Sequence, residues 1–504
     1  MVVWKGSPSA GAGAAGGGGR GGVSGVVGLQ ALGAAAARPP LRALRLLHAL
    51  ARATLPRAWR LLRGAASGDA LLAALVALVV RRLLWWQSAL ERRAWFALGL
   101  KREFAAGALS AAWRRARRGR AAVPGWSAAR EAVNGGSRRA GEYVFALAQL
   151  DQGVFAETRK VFELLSWTRQ VGARMEADGF CSFDYEADGV PCRAVVSKSA
   201  CARARRALGL KPSRSLAPPG SEELGVGEAE ASAAGARPLL LNLHLHGGGY
   251  VSGTLDASTS AGWHFCRTAA DRGDPFDMVT VLVDYRLAPE ARFPAAVVDA
   301  VAAVRWHAAL PVALRFVLTG ESAGGGLCAA TLIALRDGFE AHLTPQQLAA
   351  HPRAPRGAAA RSSMPAAAVL MSPMLSCRHD AEFCSARGET DVISGLTARA
   401  SAKHYVPCPN AAASNALASP LVADLAGLPP LFVVAGECEI FLGSCDDFVR
   451  RAKLQGGAHA ATLRAFAGQT HCFQLLWEPD AGGECQRAYD EAIAFAAAHA
   501  FAAG

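Results

Sequence analysis

With 504 residues, about half of them apolar, the chain can bury a large core and has room for one big α/β domain plus a further segment. Its net charge of +13 is unevenly spread: residues 1–140 hold 23 Lys and Arg against 4 Asp and Glu, whereas residues 141–504 hold 31 against 37. The basic segment carries no nucleic-acid module and its arginines alternate with Leu, Ala and Trp, which argues against a nucleic-acid partner. The twelve cysteines all lie between Cys181 and Cys485 without CxxC pairs, which argues against a disulfide scaffold. They read as thiols of a reducing, intracellular compartment, with a bridge between Cys438 and Cys472 left open.

Residues 1–38 are dominated by Gly, Ala and Ser and predict a disordered leader. Residues 39–140 predict a basic, partly amphipathic helical segment. Within it, Leu41, Leu44, Leu47, Leu50, Leu55 and Trp59 recur near helical spacing with arginines interleaved. No acidic residue precedes Asp69, the pattern of an organelle leader or a membrane-surface anchor. A secretory signal over Val23 to Ala37 is disfavoured, because that run is only weakly hydrophobic. The apolar stretch Ala70 to Val80 ends at Arg81-Arg82 before Leu83, Leu84, Trp85 and Trp86. It is short of the ~20 residues a span needs, so an interfacial helix with both tryptophans at headgroup level is expected. The plainer alternative is a basic helix packed on the domain that follows.

Residues 141–504 have the composition of a globular domain, with a surface insertion expected at about 212–238. Apolar, β-branched runs predict strands at Leu239 to Leu245, Met278 to Asp284, Phe316 to Thr319, Ala367 to Met371, Leu431 to Ala435 and Thr462 to Phe466. Alanine-rich segments such as Ala295 to Ala309 and Gly326 to Arg336 predict helices between them. Strands alternating with helices imply an α/β fold: a mostly parallel central sheet with helices on both faces.

The strand ending at Thr319 runs into Gly320-Glu321-Ser322-Ala323-Gly324 and a helix leaves it. That order predicts a nucleophile elbow, with Ser322 presented on a sharp turn and Gly320 and Gly324 leaving room beside it. The strand ending at Leu245 runs into His246-Gly247-Gly248-Gly249, whose side-chain-free backbone suits an oxyanion hole; the donors expected are the amides of Gly247, Gly248 and Ala323, with His246 and Gly249 in support. His244 and His246 have no third ligand at metal spacing, so no metal or cofactor is implied. The general base should come late in the chain, after the last strand, and His471 stands there; His379, His404 and His459 read as surface histidines. The acid should follow the preceding strand. Glu439 is expected, with Asp446 or Asp447 as the fallback.

These residues together resemble the hormone-sensitive-lipase family of α/β-hydrolases, also called the α/β-hydrolase fold-3 group. The likeness runs from about Asp188 to Phe495. It rests on the His246 box with Tyr250-Val251-Ser252-Gly253, on Asp284-Tyr285-Arg286-Leu287-Ala288-Pro289-Glu290 with Phe293-Pro294-Ala295, on the Ser322 elbow, on Ala418-Ser419-Pro420-Leu421, and on His471-Cys472-Phe473. Two departures stand out: the family usually has Asp where Glu439 stands and Gly where Cys472 stands. Asp299 matches a helix position of the family and is expected to be structural.

The resemblance implies an α/β-hydrolase fold with a helical cap at about 141–180, and a serine carboxylic-ester hydrolase working through Ser322, His471 and Glu439. Phe145, Phe155, Phe162, Trp167 and Met175 would line an acyl pocket or fill the cap's core. A membrane-associating N-terminus favours a small-molecule ester that is lipophilic, such as an acetylated sterol or an acylglycerol. The alternative is a non-catalytic small-molecule receptor on the same fold. Such receptors lose the catalytic histidine, and His471 is retained.

Overall fold

The computed structural model describes residues 89–501, apart from 125, 150–151, 165–166, 211–236, 311–314, 355–363, 380–385, 458 and 477–482. The expected leader, the basic helix of residues 39–63, the apolar stretch to Trp86 and nearly all of the insertion at 212–238 lie outside the described residues. Eight strands form one sheet: β1 (Phe180–Ala187), β2 (Val190–Ser197), β3 (Leu239–Leu245), β4 (Asp277–Val283), β5 (Arg315–Glu321), β6 (Ala368–Met371), β7 (Leu431–Gly436) and β8 (Ala461–Phe466). Their spatial order is β1-β2-β4-β3-β5-β6-β7-β8. Pairs β1/β2 and β2/β4 are antiparallel and the rest parallel.

Strands β3 to β7 are buried along almost their whole length, because both faces of the sheet are covered. Alternation sorts their side chains into two cores. Leu241, Leu243, Leu245, Val279, Val281 and Val283 face one, and Leu240, Met278, Leu282, Val317 and Val434 the other. The helices are α1 (Ala89–Arg118), α2 (Ala128–Ala148), α3 (Val154–Leu164), α4 (Trp167–Ala177), α5 (Cys201–Ala207), α6 (Leu255–Asp271), α7 (Ala295–Ala308), α8 (Ala323–Asp337), α9 (Pro345–Ala350), α10 (Gly395–Tyr405), α11 (Pro409–Ser414), α12 (Leu442–Gly456), α13 (Phe473–Leu476) and α14 (Glu484–Ala500). Helices α7, α8 and α12 cover the first core; α6 and α14 cover the second.

Two features depart from expectation. The β1–β2 hairpin turns at Asp188-Gly189, both at positive φ (52° and 70°), and adds an antiparallel edge where no strand was expected. Helix α2 runs unbroken through residue 140, so the charge boundary falls inside a helix. Buried Glu131 on α2 ties it to α1, accepting from Arg115 at 2.6 Å, Arg118 at 2.8 Å and the Ala122 amide at 2.9 Å. The same, turn end of the α1–α2 hairpin reaches the sheet's loops. Trp126 Nε1 donates to Gly468 O at 2.7 Å, and Arg130 donates to Gly468 O at 2.9 Å and Gln469 Oε1 at 2.6 Å. Arg138 donates to the carbonyls of Gly388 and Glu389.

Of the expected cap aromatics, Phe155 is fully buried in the first core and Met175 is buried in the second, while Phe145 packs edge-on against Phe155 at 5.4 Å. These positions fill core. The side chains of Phe162 and Trp167 are outside the described residues. All eleven described cysteines are free thiols, Cys438 and Cys472 among them.

Candidate active site

Ser322 sits between the end of β5 and the start of α8, at φ 55° and ψ −120°. Few non-glycine residues adopt this backbone, and it holds here because both sides are fixed: the Ser322 amide donates to Met371 O at 2.9 Å, and Ser322 O accepts from Met374 at 2.8 Å and Gly326 at 3.1 Å. A side chain at Gly324 would lie 2.0 Å from Leu245 O, so only glycine lets α8 start this close to β3. His471 follows β8 in a short loop, and its Nε2 lies 2.9 Å from Ser322 Oγ. Burial pushes this imidazole down to about 3, against the opposing pull of the Glu321 charge, which keeps it neutral and able to accept a proton. Cys472 takes φ 49° where the family favours glycine, and its Sγ lies 3.5 Å from the same Nε2.

Glu439 follows β7 and is fully buried. Its Oε2 accepts from the Gly436 amide at 2.8 Å and from Ser372 Oγ at 2.7 Å. Ser372 Oγ in turn accepts the Cys472 amide at 3.1 Å, which brings the Glu439 and His471 loops to one point. The second oxygen, Oε1, and Nδ1 of His471 are both buried and take no hydrogen bond from the protein. Burial, helped by the nearby Asp391 charge, pushes the Glu439 carboxyl up to about 8. The fallback acids point elsewhere: Asp446 is exposed and Asp447 pairs with Arg450.

Asp391 carried no sequence signal. It is fully buried and its oxygens accept three amides: Val392 at 2.8 Å, Ile440 at 2.9 Å and His471 at 2.8 Å. The last two belong to the acid and histidine loops, so one carboxylate pins both. Burial pushes it up to about 7, opposed by those amide hydrogen bonds. Asn at this position offers an acceptor at one oxygen only and turns an NH2 toward a backbone N–H. Asp391→Asn is therefore expected to lower kcat roughly 10²-fold, the scale of a 1 Å misplacement. Removing the Asp391 charge should also move the acid limb of the pH–rate profile to lower pH, since that charge raises Glu439. Steady-state kinetics across pH check both effects, and an unchanged limb would reduce Asp391 to a packing residue.

The glycine box touches Ser322: a Cβ on Gly247 would lie 3.1 Å from Ser322 Cβ. The expected role of Gly247 needs correcting, however. Its N–H donates to Glu321 Oε1 at 2.6 Å and is not available to a substrate. Among the described residues the amides of Gly248, Gly249 and Ala323 donate to no protein acceptor. Glu321 Oε2 lies 2.6 Å from His244 Nε2, His244 Nδ1 lies 2.8 Å from Thr319 Oγ1, and that hydroxyl donates to Asn242 Oδ1 at 2.7 Å. Burial works to raise the Glu321 carboxyl, but His244 and the Gly247 amide prevail and hold it below the usual range. Glu321 thus fixes the loop beneath the candidate donors. His246 stacks on Tyr285 at 4.3 Å, and the tyrosine hydroxyl donates to His246 O at 2.6 Å.

The remaining candidates have plain surroundings. Asp299 accepts from Arg286 Nε at 2.7 Å, Nη2 at 2.8 Å and its amide at 3.0 Å, a structural clasp. His459 is exposed, His379 lies 2.8 Å from Val406 O, and His404 packs on Phe155 at 4.9 Å.

A family model described as the alpha/beta hydrolase fold matches residues 242–475. An acetyl-hydrolase of Streptomyces hygroscopicus is 32% identical over 258 residues, which covers 50% of this chain and 74% of that protein. An esterase of Acinetobacter venetianus is 27% identical over 261 residues, covering 51% and 74%. A crystal structure of an esterase from the bacterial hormone-sensitive lipase family aligns with 71% of this chain and 98% of its own, at 25% identity and a TM-score of 0.49. The chain belongs to the α/β-hydrolase fold-3, or hormone-sensitive-lipase, family and is a carboxylic ester hydrolase.

Proposed function

We propose that Ser322 is the nucleophile, His471 the general base and Glu439 the acid of a serine esterase acting on a lipophilic ester. The observation that carries this reading is the 2.9 Å approach of His471 Nε2 to the hydroxyl of a serine held on a strand-to-helix elbow. As Ser322 Oγ bonds to the ester carbonyl carbon, its proton passes to Nε2. The carbonyl oxygen becomes an anion facing the amides of Gly248, Gly249 and Ala323, which replace the trio that includes Gly247. Collapse breaks the bond to the alcohol, which leaves with the proton from Nε2. Water then attacks the acyl-enzyme, gives a proton to Nε2, and the returning proton restores Ser322 as the carboxylic acid departs.

Glu439 Oε1 is the acceptor suited to Nδ1–H, orienting the ring and stabilising the imidazolium. The Gly436 amide and the Ser372 hydroxyl anchor Oε2, which leaves Oε1 for the ring. The name of the Streptomyces relative favours a short acyl group on the substrate.

A fluorophosphonate probe tests the assignment. It should phosphonylate Ser322 alone within minutes at neutral pH, read by peptide mass spectrometry, and p-nitrophenyl acetate should compete. Absence of labelling would favour a receptor that keeps the fold without a working base.

A further inference from the structure

Helix α1 has two apolar sides, and among the described residues only one of them is packed. Phe96, Phe104 and Ala111 face α2. On the opposite side Leu98, Leu109 and Trp113 stand 52%, 72% and 59% exposed, at spacings of eleven and four residues that align them along one stripe. From Leu98 onward only alanines and basic residues share that side, while Glu91 falls on the same line near the start of the helix. Lys101, Arg102 and Arg117 flank the stripe, and the Arg117 guanidinium lies over the Trp113 ring at 4.8 Å. Arg102 shares Glu103 with Arg139, whereas among the described residues no carboxylate pairs with Lys101 or Arg117.

We propose that this side of α1 is a docking surface for an anionic lipid bilayer. An exposed Trp and two Leu flanked by cations, with no acid on the stripe between Leu98 and Trp113, match what a headgroup boundary accepts: apolar side chains enter the acyl region while Lys and Arg reach back to the phosphates. No helix among the described residues is long and apolar enough to cross a membrane, so the contact is along the helix, which lies in the interface plane. The preceding sequence continues the same chemistry, with Arg81-Arg82 and Leu83-Leu84-Trp85-Trp86 just before α1, and residues 1–140 carry 23 basic against 4 acidic side chains. The placement also deepens the serine-esterase reading and rests on it: Trp126 and Arg130, at the start of the α2 that packs on α1, hold the Gly468 carbonyl and the Gln469 side chain just before His471, so docking would set the site beside lipid-dissolved esters.

The test uses the full chain carrying Leu109→Cys labelled with an environment-sensitive fluorophore, in a Cys408→Ser background because Cys408 is exposed. The Cys408→Ser protein with Leu109 intact serves as the labelling blank. With vesicles of phosphatidylcholine plus phosphatidylserine, the dye should shift to the blue and be quenched by brominated acyl chains, and both responses should weaken in high salt. Replacing Lys101 and Arg117 with Ala should lower vesicle partitioning about fivefold per residue. The proposal is overturned if the protein does not sediment with vesicles, or if it sediments while the dye is unchanged. It is also overturned if emission is already blue without vesicles, which would mean that residues 1–88 or a second copy covers the stripe. Fluorophosphonate labelling of the same sample reads the esterase assignment separately.

Discussion

Replacing Ser322 with Ala should reduce kcat/KM on p-nitrophenyl acetate by about 10⁴ to 10⁶-fold while leaving the fold intact. The size follows from what is lost: without the nucleophile, His471 and the acid act on nothing, and only the residual rate of a preorganised oxyanion site remains. The fold should tolerate the change because the bonds that set the elbow use the Ser322 backbone, not its hydroxyl. Alanine has the same Cβ constraint at φ 55°, so it adds no strain. Circular dichroism and a thermal melt should match the parent. Activity within about tenfold of the parent would sink the assignment, since no other side chain could then be denied the role.

The second large effect is expected at Glu439. Glutamine there should lower kcat about 10³ to 10⁴-fold, through the tautomer and not through misfolding. The Gly436 amide and Ser372 hydroxyl both donate to Oε2, so the glutamine carbonyl will occupy that position. Its NH2 then turns toward His471 Nδ1, makes that nitrogen the acceptor, and puts the proton on Nε2, where a free lone pair is needed. Glu439→Asp should be far milder, as it keeps the charge. The pH dependence has a definite sign. Burial and the Asp391 charge push the Glu439 carboxyl up to about 8, so its working, ionised form is lost as pH falls through that value. His471, pushed down to about 3, stays neutral over the same range. Activity should therefore rise toward a plateau above about pH 8, and in Glu439→Gln this rise should vanish; a retained rise would assign the limb to another group.

The parallel strands are legible in the sequence because burial on both faces demands continuous apolar runs, and the run Leu239–Leu245 marks its strand to the residue. The β1–β2 hairpin escapes because its polar alternation, with Ser182, Asp184 and Glu186, resembles loop, although Asp188-Gly189 is a usable turn signal. Ser322, Glu439 and His471 are each marked by a strand end plus a local motif. Asp391 has neither. It reaches the site through the long crossing from β6 to β7, and no local pattern shows which loops a carboxylate will staple. The Gly247 error has a related origin: sequence identifies amides free of side chains, but their availability depends on how far a neighbour such as Glu321 can reach.

The grip of α2 on Gly468, Gln469, Gly388 and Glu389 bears on how the protein can be taken apart. A charge count invites a cut near residue 140, separating a basic leader from a self-sufficient enzyme. Such a cut would discard Trp126, Arg130 and Arg138 and leave half a helix where the supports of the histidine loop had been. A cut before α1 would instead keep the α1–α2 hairpin, its hydrogen bonds and its positive charge with the sheet.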